Sequence, residues 1–282
     1  MAITGVTALA DSIAAEIVES KMVPELRPAM TSREFLRFAA KGPSQIASFP
    51  LWGDPGSAAA PANDLSDISS TALSDTEASA TAAEVGFRVD VTDLAREVWA
   101  GGGDLYGEVA AIVGRTVAEK WETDLAFLMD DFSGVTTAAS TLTPVDLLAA
   151  VSALEQRDIP GPYVGYLDPK QTGELRVEIA TSGASYLVNN ENGLVAPYGV
   201  SGYFGDYMGL RIYQSSLVAT TSSLVGGAVF ASGQALGCYE IWGPRIETQR
   251  DASNRSMEFV GTQCYGFKEI SDTRGQTLKS AA

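Results

Sequence analysis

The chain has 282 residues, 35 acidic and 19 basic side chains, a formal net charge of −16, and no histidine. The missing imidazole excludes Ser-His-Asp and Cys-His triads and every histidine metal ligand. The charge argues against a surface that grips nucleic-acid phosphates or anionic lipid. Two cysteines are too few for a disulfide-stapled fold or a four-thiolate zinc site. The 45% hydrophobic content supports a substantial core and one or two domains. No run approaches the ~18–20 apolar residues of a membrane span. Met1–Gly5 lacks the basic start of a signal peptide, so a cytosolic origin with reduced thiols is expected.

Val6, Leu9, Ile13 and Ile17 recur at helical spacing and predict a short amphipathic helix over 6–20. Pro24 and Pro28 break it, leaving an arm that buries its apolar stripe only against something else. Residues 42–87 hold six acids and no Lys or Arg, and from Ser57 to Ala83 they are mostly Ala, Ser and Thr. Bulky residues sit only at the base: Ile46, Phe49, Leu51 and Trp52 on one side, Val85, Phe87, Val89 and Val91 on the other. Two alternating apolar flanks around a small-residue middle predict a long projecting hairpin or loop.

After Gly101-Gly102-Gly103, Asp104 can cap a helix over 104–130. Its apolar face is Leu105, Val109, Ile112, Val113, Val117, Trp121, Leu125 and Leu128. At 1.5 Å per residue it would run roughly 40 Å, a scaffold for other elements. Thr143-Pro144 with Asp146 starts another helix, faced by Leu147, Leu148, Val151 and Leu154. Tyr163 to Leu167 reads as a buried strand, and Asp168-Pro169 caps a helix to about Ala180. Residues 181–206 look loop-like. Strands are expected at 210–213, 228–231, 235–242, 245–249 and 256–270, the last two joined by the turn at 251–254. The order is α+β, without regular βαβα alternation.

The catalytic inventory is nearly empty. Cys238 and Cys264 lie on expected strands without a base to make a thiolate, so they read as core residues. No Ser-x-x-Lys occurs, and Lys170 is expected to point to solvent. Asp130 and Asp131 are adjacent, about 100° apart on a helix, and cannot share one substrate bond. They sit at the end the helix dipole disfavours, so a partner cation or exposure is expected. Gly199-x-x-Gly202-x-x-Gly205 and Gly226-Gly227 lead into no helix and cradle no phosphate. No catalytic, cofactor or metal residue is assigned.

Several ordered segments carry a resemblance: Tyr166-Leu167-Asp168-Pro169, Gly209 to Ser215, Gly227-Ala228-Val229-Phe230 with Ala235-Leu236, Glu247 to Arg255, Tyr265-Gly266 and Asp272-Thr273-Arg274-Gly275. Together they resemble the major capsid proteins of tailed bacteriophages, with the Hong Kong 97 fold. That resemblance implies an N-terminal arm (1–42), an E-loop hairpin (43–90), a peripheral domain with the long spine helix (91–139), an axial domain (140–237) and peripheral C-terminal strands (238–282). It implies a non-enzymatic shell protein assembling with itself as hexamers and pentamers, in an icosahedral virion capsid built in the host cytoplasm.

The implied partners are a portal protein and separate scaffolding and decoration proteins. Packaged DNA is enclosed without specific binding, and an acidic wall would let it slide. No cofactor and no membrane are implied. Phe49, Leu51 and Trp52 are the subunit-contact candidates; their alternative is packing on the chain's own spine helix. Deleting residues 55–83 should leave a soluble subunit and abolish shells. The missing Lys in 42–87 speaks against a covalent crosslink from the E-loop, and no long scaffolding extension precedes the arm. The rival readings are an encapsulin shell, a histidine-free hydrolase using remote carboxylates, and a tail or decoration protein.

Overall fold

The computed structural model describes residues 32–53, 72–99, 105–182, 203–207, 209–218 and 224–281. The helix expected over 6–20, the middle of the 42–87 stretch, the Asp104 cap and most of 181–206 lie outside them. The described strands are β1 (Arg37–Phe38), β2 (Ile46–Trp52), β3 (Asp75–Thr81), β4 (Ala83–Thr92), β5 (Val135–Thr137), β6 (Tyr163–Leu167), β7 (Tyr203–Tyr207), β8 (Leu210–Gln214), β9 (Leu224–Ala231), β10 (Leu236–Asp251), β11 (Ser256–Glu269) and β12 (Gly275–Ala281). The α-helices are α1 (Asp93–Val98), α2 (Leu105–Met129), α3 (Pro144–Glu155) and α4 (Pro169–Ser182).

Three sheets organise them: a four-stranded sheet ordered β1-β10-β11-β4, a six-stranded sheet ordered β5-β12-β9-β6-β8-β7, and the hairpin β2-β3. The long helix α2 serves both larger sheets, and its sequence shows why. Val113, Val117, Trp121, Leu125 and Met129 are buried at steps of four. Each such step overshoots a full turn by about 40°, so the buried line winds by about 160° from Val113 to Met129. Val113 packs with Val91 and Phe259 of the four-stranded sheet. Trp121, Leu125 and Met129 pack in a second cluster that includes Tyr166 and Phe230 of the six-stranded sheet. Ile112, one residue off that line, is exposed. At Gly261 the helix comes so close to β11 that an added Cβ would lie 2.6 Å from Val113 Cγ1.

The six-stranded sheet is covered on both faces. Leu167, Ile212 and Val229 point into the cluster holding Leu147 and Leu154 of α3 and Leu175 of α4. Their chain neighbours Tyr166, Tyr213 and Phe230 point the other way, toward α2 and Phe35. Double burial explains why β9 reads as an unbroken run of apolar and small residues. Helix α3 starts as its sequence predicts: Thr143 and Asp146 form a reciprocal capping box, with Pro144 in the first turn.

Buried polar groups fasten the start of the described chain. Glu122 is 1% exposed. Its Oε1 accepts from the Ser32 N–H (3.1 Å) and hydroxyl (3.0 Å), and its Oε2 accepts from the Tyr166 phenol (2.6 Å). Trp121 Nε1 donates to Ser32 Oγ at 2.9 Å. One carboxyl thus ties the N-terminal segment, α2 and β6 together.

The structure departs from the expected elements at several places, one of them Tyr203–Tyr207, which form β7 where 181–206 was expected to be loop-like. The flank 85–91 does not close a loop with 46–52: β4 pairs antiparallel with β11 from Thr92↔Ser256 to Ala83↔Tyr265, and β2 pairs with β3. The strands expected at 235–242 and 245–249 are one strand, irregular in register between Glu240 and Arg245. Residues 135–137 and 275–281 form β5 and β12 and join the six-stranded sheet, where Leu278 is fully buried. Short β1 pairs parallel with β10 at Gly237 and Cys238.

Candidate functional site

Local chemistry keeps the candidate nucleophiles and bases occupied. Both cysteines are buried and unpaired with each other. Burial, with Glu240 nearby, pushes the Cys238 thiol far up; burial, with Glu84, also raises Cys264. Neither is poised as a thiolate. Asp130 meets the cation its helix-end position called for: Lys279 Nζ lies 3.0 Å from Oδ1, an ion pair and not a well-angled hydrogen bond. Asp131 is exposed. Lys170 does not simply point to solvent; its Nζ donates to the Ala281 carbonyl at 2.8 Å. Gly226-Gly227 is strand punctuation, and a Cβ on Gly227 would meet Gln171 Oε1 at 2.5 Å. Among the described residues no group of three His, Cys, Asp or Glu could hold a metal, and no helix is long and apolar enough to cross a membrane.

The surface is more informative. The β2–β3 hairpin is pinned at its base: Tyr239 donates its hydroxyl to Ser44 O (2.6 Å), and Gln45 exchanges hydrogen bonds with Ala82 (2.7 and 2.9 Å). Phe49, 2% exposed, inserts beside Gly237, whose missing Cβ would lie 2.7 Å from the ring. It packs with Tyr239, Cys264 and Ile270, and half-buried Leu51 flanks that cluster. Alternation along β2 sends Trp52 the opposite way, to 74% exposure, near Leu73 at 62%.

The three contact candidates therefore separate. Phe49 is committed inside its own chain, against the four-stranded sheet and not against α2, which removes it as an outward anchor. Leu51 is divided, and Trp52 is the apolar side chain presented outward. Asp75 and Glu77 stand beside it on β3, exposed and without a basic neighbour in the 42–87 stretch.

Sequence reasoning missed two further open surfaces. Residues 244–250 of β10 are exposed throughout, and among the described residues that strand is paired there with β11 alone, its other backbone edge open. On the far body, Val145 of α3 (72%) and Val177 of α4 project outward. Val145 lies off the stripe Leu147–Val151–Leu154, which was the available signal. An open strand edge is what a repeating contact can use and a lone globule blunts; singly exposed apolar residues such as Val145 are ordinary on any protein surface.

Similar architectures are found among solved structures. A chain from Mycobacterium phage Che8 superposes with a TM-score of 0.70 at 17% identity, covering 95% of this chain and 97% of that one. The capsid of Ralstonia phage GP4 gives 0.73 at 13% identity, covering 99% and 98%. This chain has the tailed-phage capsid fold. The same capsid fold appears in the holo-SrpI encapsulin complex of Synechococcus elongatus PCC 7942, with a TM-score of 0.65 at 13% identity over 99% and 95%. By sequence, no family model and no curated protein matches the chain. At these identities the likeness is one of fold alone.

Proposed function

We propose that the chain is the structural subunit of a closed icosahedral shell, the major capsid protein of a tailed-phage head, with no catalytic role. The observation that carries this is the capsid fold matched over nearly the full length of both this chain and the phage chains. Assembly places subunits in hexamers and pentamers, with a portal protein at one vertex and scaffolding and decoration proteins supplied separately. The shell forms in the host cytoplasm and encloses DNA without binding its sequence. The net charge of −16 suits a wall on which phosphates slide.

In this reading residues 1–42 are the arm and the hairpin is the E-loop, ending near 82 where β4 enters the four-stranded sheet. The peripheral part is β1, β4, β10 and β11 with α1 and α2; the axial part is the six-stranded sheet with α3 and α4. The projecting hairpin lies over a neighbouring subunit, with Trp52 as its apolar anchor. A second reading, an encapsulin shell, is favoured by the likeness to the SrpI complex. It differs in contents: a cargo enzyme in place of a genome, with no portal or terminase encoded nearby.

Expression followed by electron microscopy and light scattering tests the shell. Closed particles tens of nanometres wide are expected, and a stable species near 30 kDa refutes the proposal. Residues 55–71 are the segment to delete. A deletion through 83 would also remove β3 and with it Ala80 and Ala82, which pack on Phe49. The 55–71 deletion is expected to leave a folded subunit that no longer closes shells. Normal particles would show that the loop is dispensable.

A further inference from the structure

On the face of the six-stranded sheet that looks toward α2, side chains form rows across the strands. One row holds Tyr166 of β6 and Tyr213 of β8; the next holds Val164 of β6, Arg211 of β8 and Asp206 of β7. Phe35 covers the first row, its ring centroid 5.7 Å from that of Tyr166 and 5.4 Å from that of Tyr213. The second row lies at an open cavity of about 280 Å³, which Glu34, Phe35 and Tyr163 also line.

Size and charge together fix what this cavity can hold. It falls just under the ~300–1,000 Å³ of pockets that take drug-sized molecules, so its occupant is small. Arg211 Nε lies 3.6 Å from Asp206 Oδ1, and both side chains are more than half exposed, so this ion pair is a loose one. Glu34 accepts the Tyr213 hydroxyl at 2.6 Å and, among the described residues, is ion-paired with no base. The phenol that holds it is 4% exposed, so the carboxylate is anchored and not free to swing. Two carboxylates against one guanidinium give the lining a formal charge of −1. Around these charges the wall is apolar or aromatic, from Phe35, Pro162, Val164 and the two tyrosine rings. An anchored carboxylate beside aromatic rings, in a lining of net negative charge, is complementary to an organic cation and repels an anion.

We propose that this cavity binds a small organic cation, a primary ammonium or guanidinium on a short alkyl stem. The charge meets Glu34, Asp206 adds to the attraction, and the stem lies on Phe35, Val164 and the tyrosine rings. Arg211 works against the ligand, which sets an upper bound on affinity and gives the site a sign that can be tested. The cavity lies within one subunit, so binding does not depend on the shell reading. The same chemistry has two sources: a free amine, or the end of a Lys or Arg side chain from a second copy of the chain.

Titration of the full chain with n-butylammonium, followed by saturation-transfer NMR, tests it. Saturable binding with a dissociation constant on the order of 1 mM is expected for a ligand of so few atoms. n-Butanol keeps the stem and lacks the charge, so it should bind roughly tenfold more weakly. Butyrate should not bind. Glu34→Gln keeps an acceptor for Tyr213 and takes the lining to zero, and should weaken binding roughly tenfold. Arg211→Gln takes the lining to −2 and unpairs Asp206, so it should tighten binding several-fold, which no merely structural role predicts. Absence of saturable binding overturns the proposal, as does n-butanol binding equally well or an Arg211→Gln chain that binds no tighter than wild type. Should either variant fail to fold, Asp206→Asn, at a side chain 54% exposed, should weaken binding, and an unchanged constant overturns the proposal. Comparing free subunits with assembled particles separates the two sources. Butylammonium that binds both marks a site for free amines; butylammonium excluded from the particles marks one filled by a neighbour's basic side chain.

Discussion

Replacing Trp52 by Asp is expected to abolish shells while leaving the subunit's thermal unfolding unchanged. The side chain is 74% exposed, so its removal takes almost nothing from the subunit's own core. A Trp ring buried between subunits removes about 150–250 Å² from water, and such anchors cost about 2 kcal/mol or more when truncated. The loss recurs at every copy of the contact, so a modest local deficit becomes a collective failure to close. Aspartate adds a charge beside Asp75 and Glu77, in a segment that has no base to offset it. Sedimentation at matched concentration reads assembly, and differential scanning fluorimetry reads the subunit. Phe49→Ala is the informative contrast. Phe49 is buried against Gly237, Tyr239 and Ile270, so its truncation should destabilise the subunit itself by about 3–5 kcal/mol. Shells of normal yield from the Trp52→Asp chain would remove this residue from the contact.

That contrast marks what the sequence could and could not tell. Period-two alternation already separates Phe49 and Leu51 from Ile46 and Trp52, because successive strand residues face opposite ways. It does not say which face is covered, since the cover is supplied by β10 and β11, some 190 residues later. Features set by neighbouring residues were legible: the capping box at Thr143, the four-step spacing of α2, and the turn in which Asp251 Oδ1 accepts from Ser253 N–H at 2.9 Å. Strand β12 was not, because its one large apolar residue is Leu278 and its burial comes from lying between β5 and β9. The same holds for β4, whose apolar alternation was visible and whose partner β11 was not. The open edge of β10 is a property of pairing, so no composition or period could reveal it.

Glu122→Ala should be among the most damaging single changes within the subunit, lowering its stability by about 3–5 kcal/mol through the three donors it leaves without their acceptor. Sequence alone places Glu122 beside the apolar line of α2 as one more helix acid; the structure makes it the shared acceptor for Ser32 and Tyr166. Alanine removes both carboxylate oxygens and leaves a backbone N–H and two hydroxyls without that acceptor, at about 1–3 kcal/mol for each group that finds no substitute. The loss is concentrated at one point of the fold. The Ser32 turn, which carries Phe35 into the core below the six-stranded sheet, depends on this acceptor, as does the seating of Trp121 through Ser32 Oγ. Glu122→Gln keeps one acceptor oxygen but turns an amide donor toward groups that also donate, so it should fall between alanine and wild type. Tyr166→Phe removes only the phenol and should cost about 1 kcal/mol. Urea unfolding checks the order. A midpoint that falls in the series Tyr166→Phe, Glu122→Gln, Glu122→Ala, at unchanged slope, locates the effect in the native state. A Glu122→Ala midpoint equal to wild type would show that the three donors find other partners and that the N-terminal segment is fastened elsewhere.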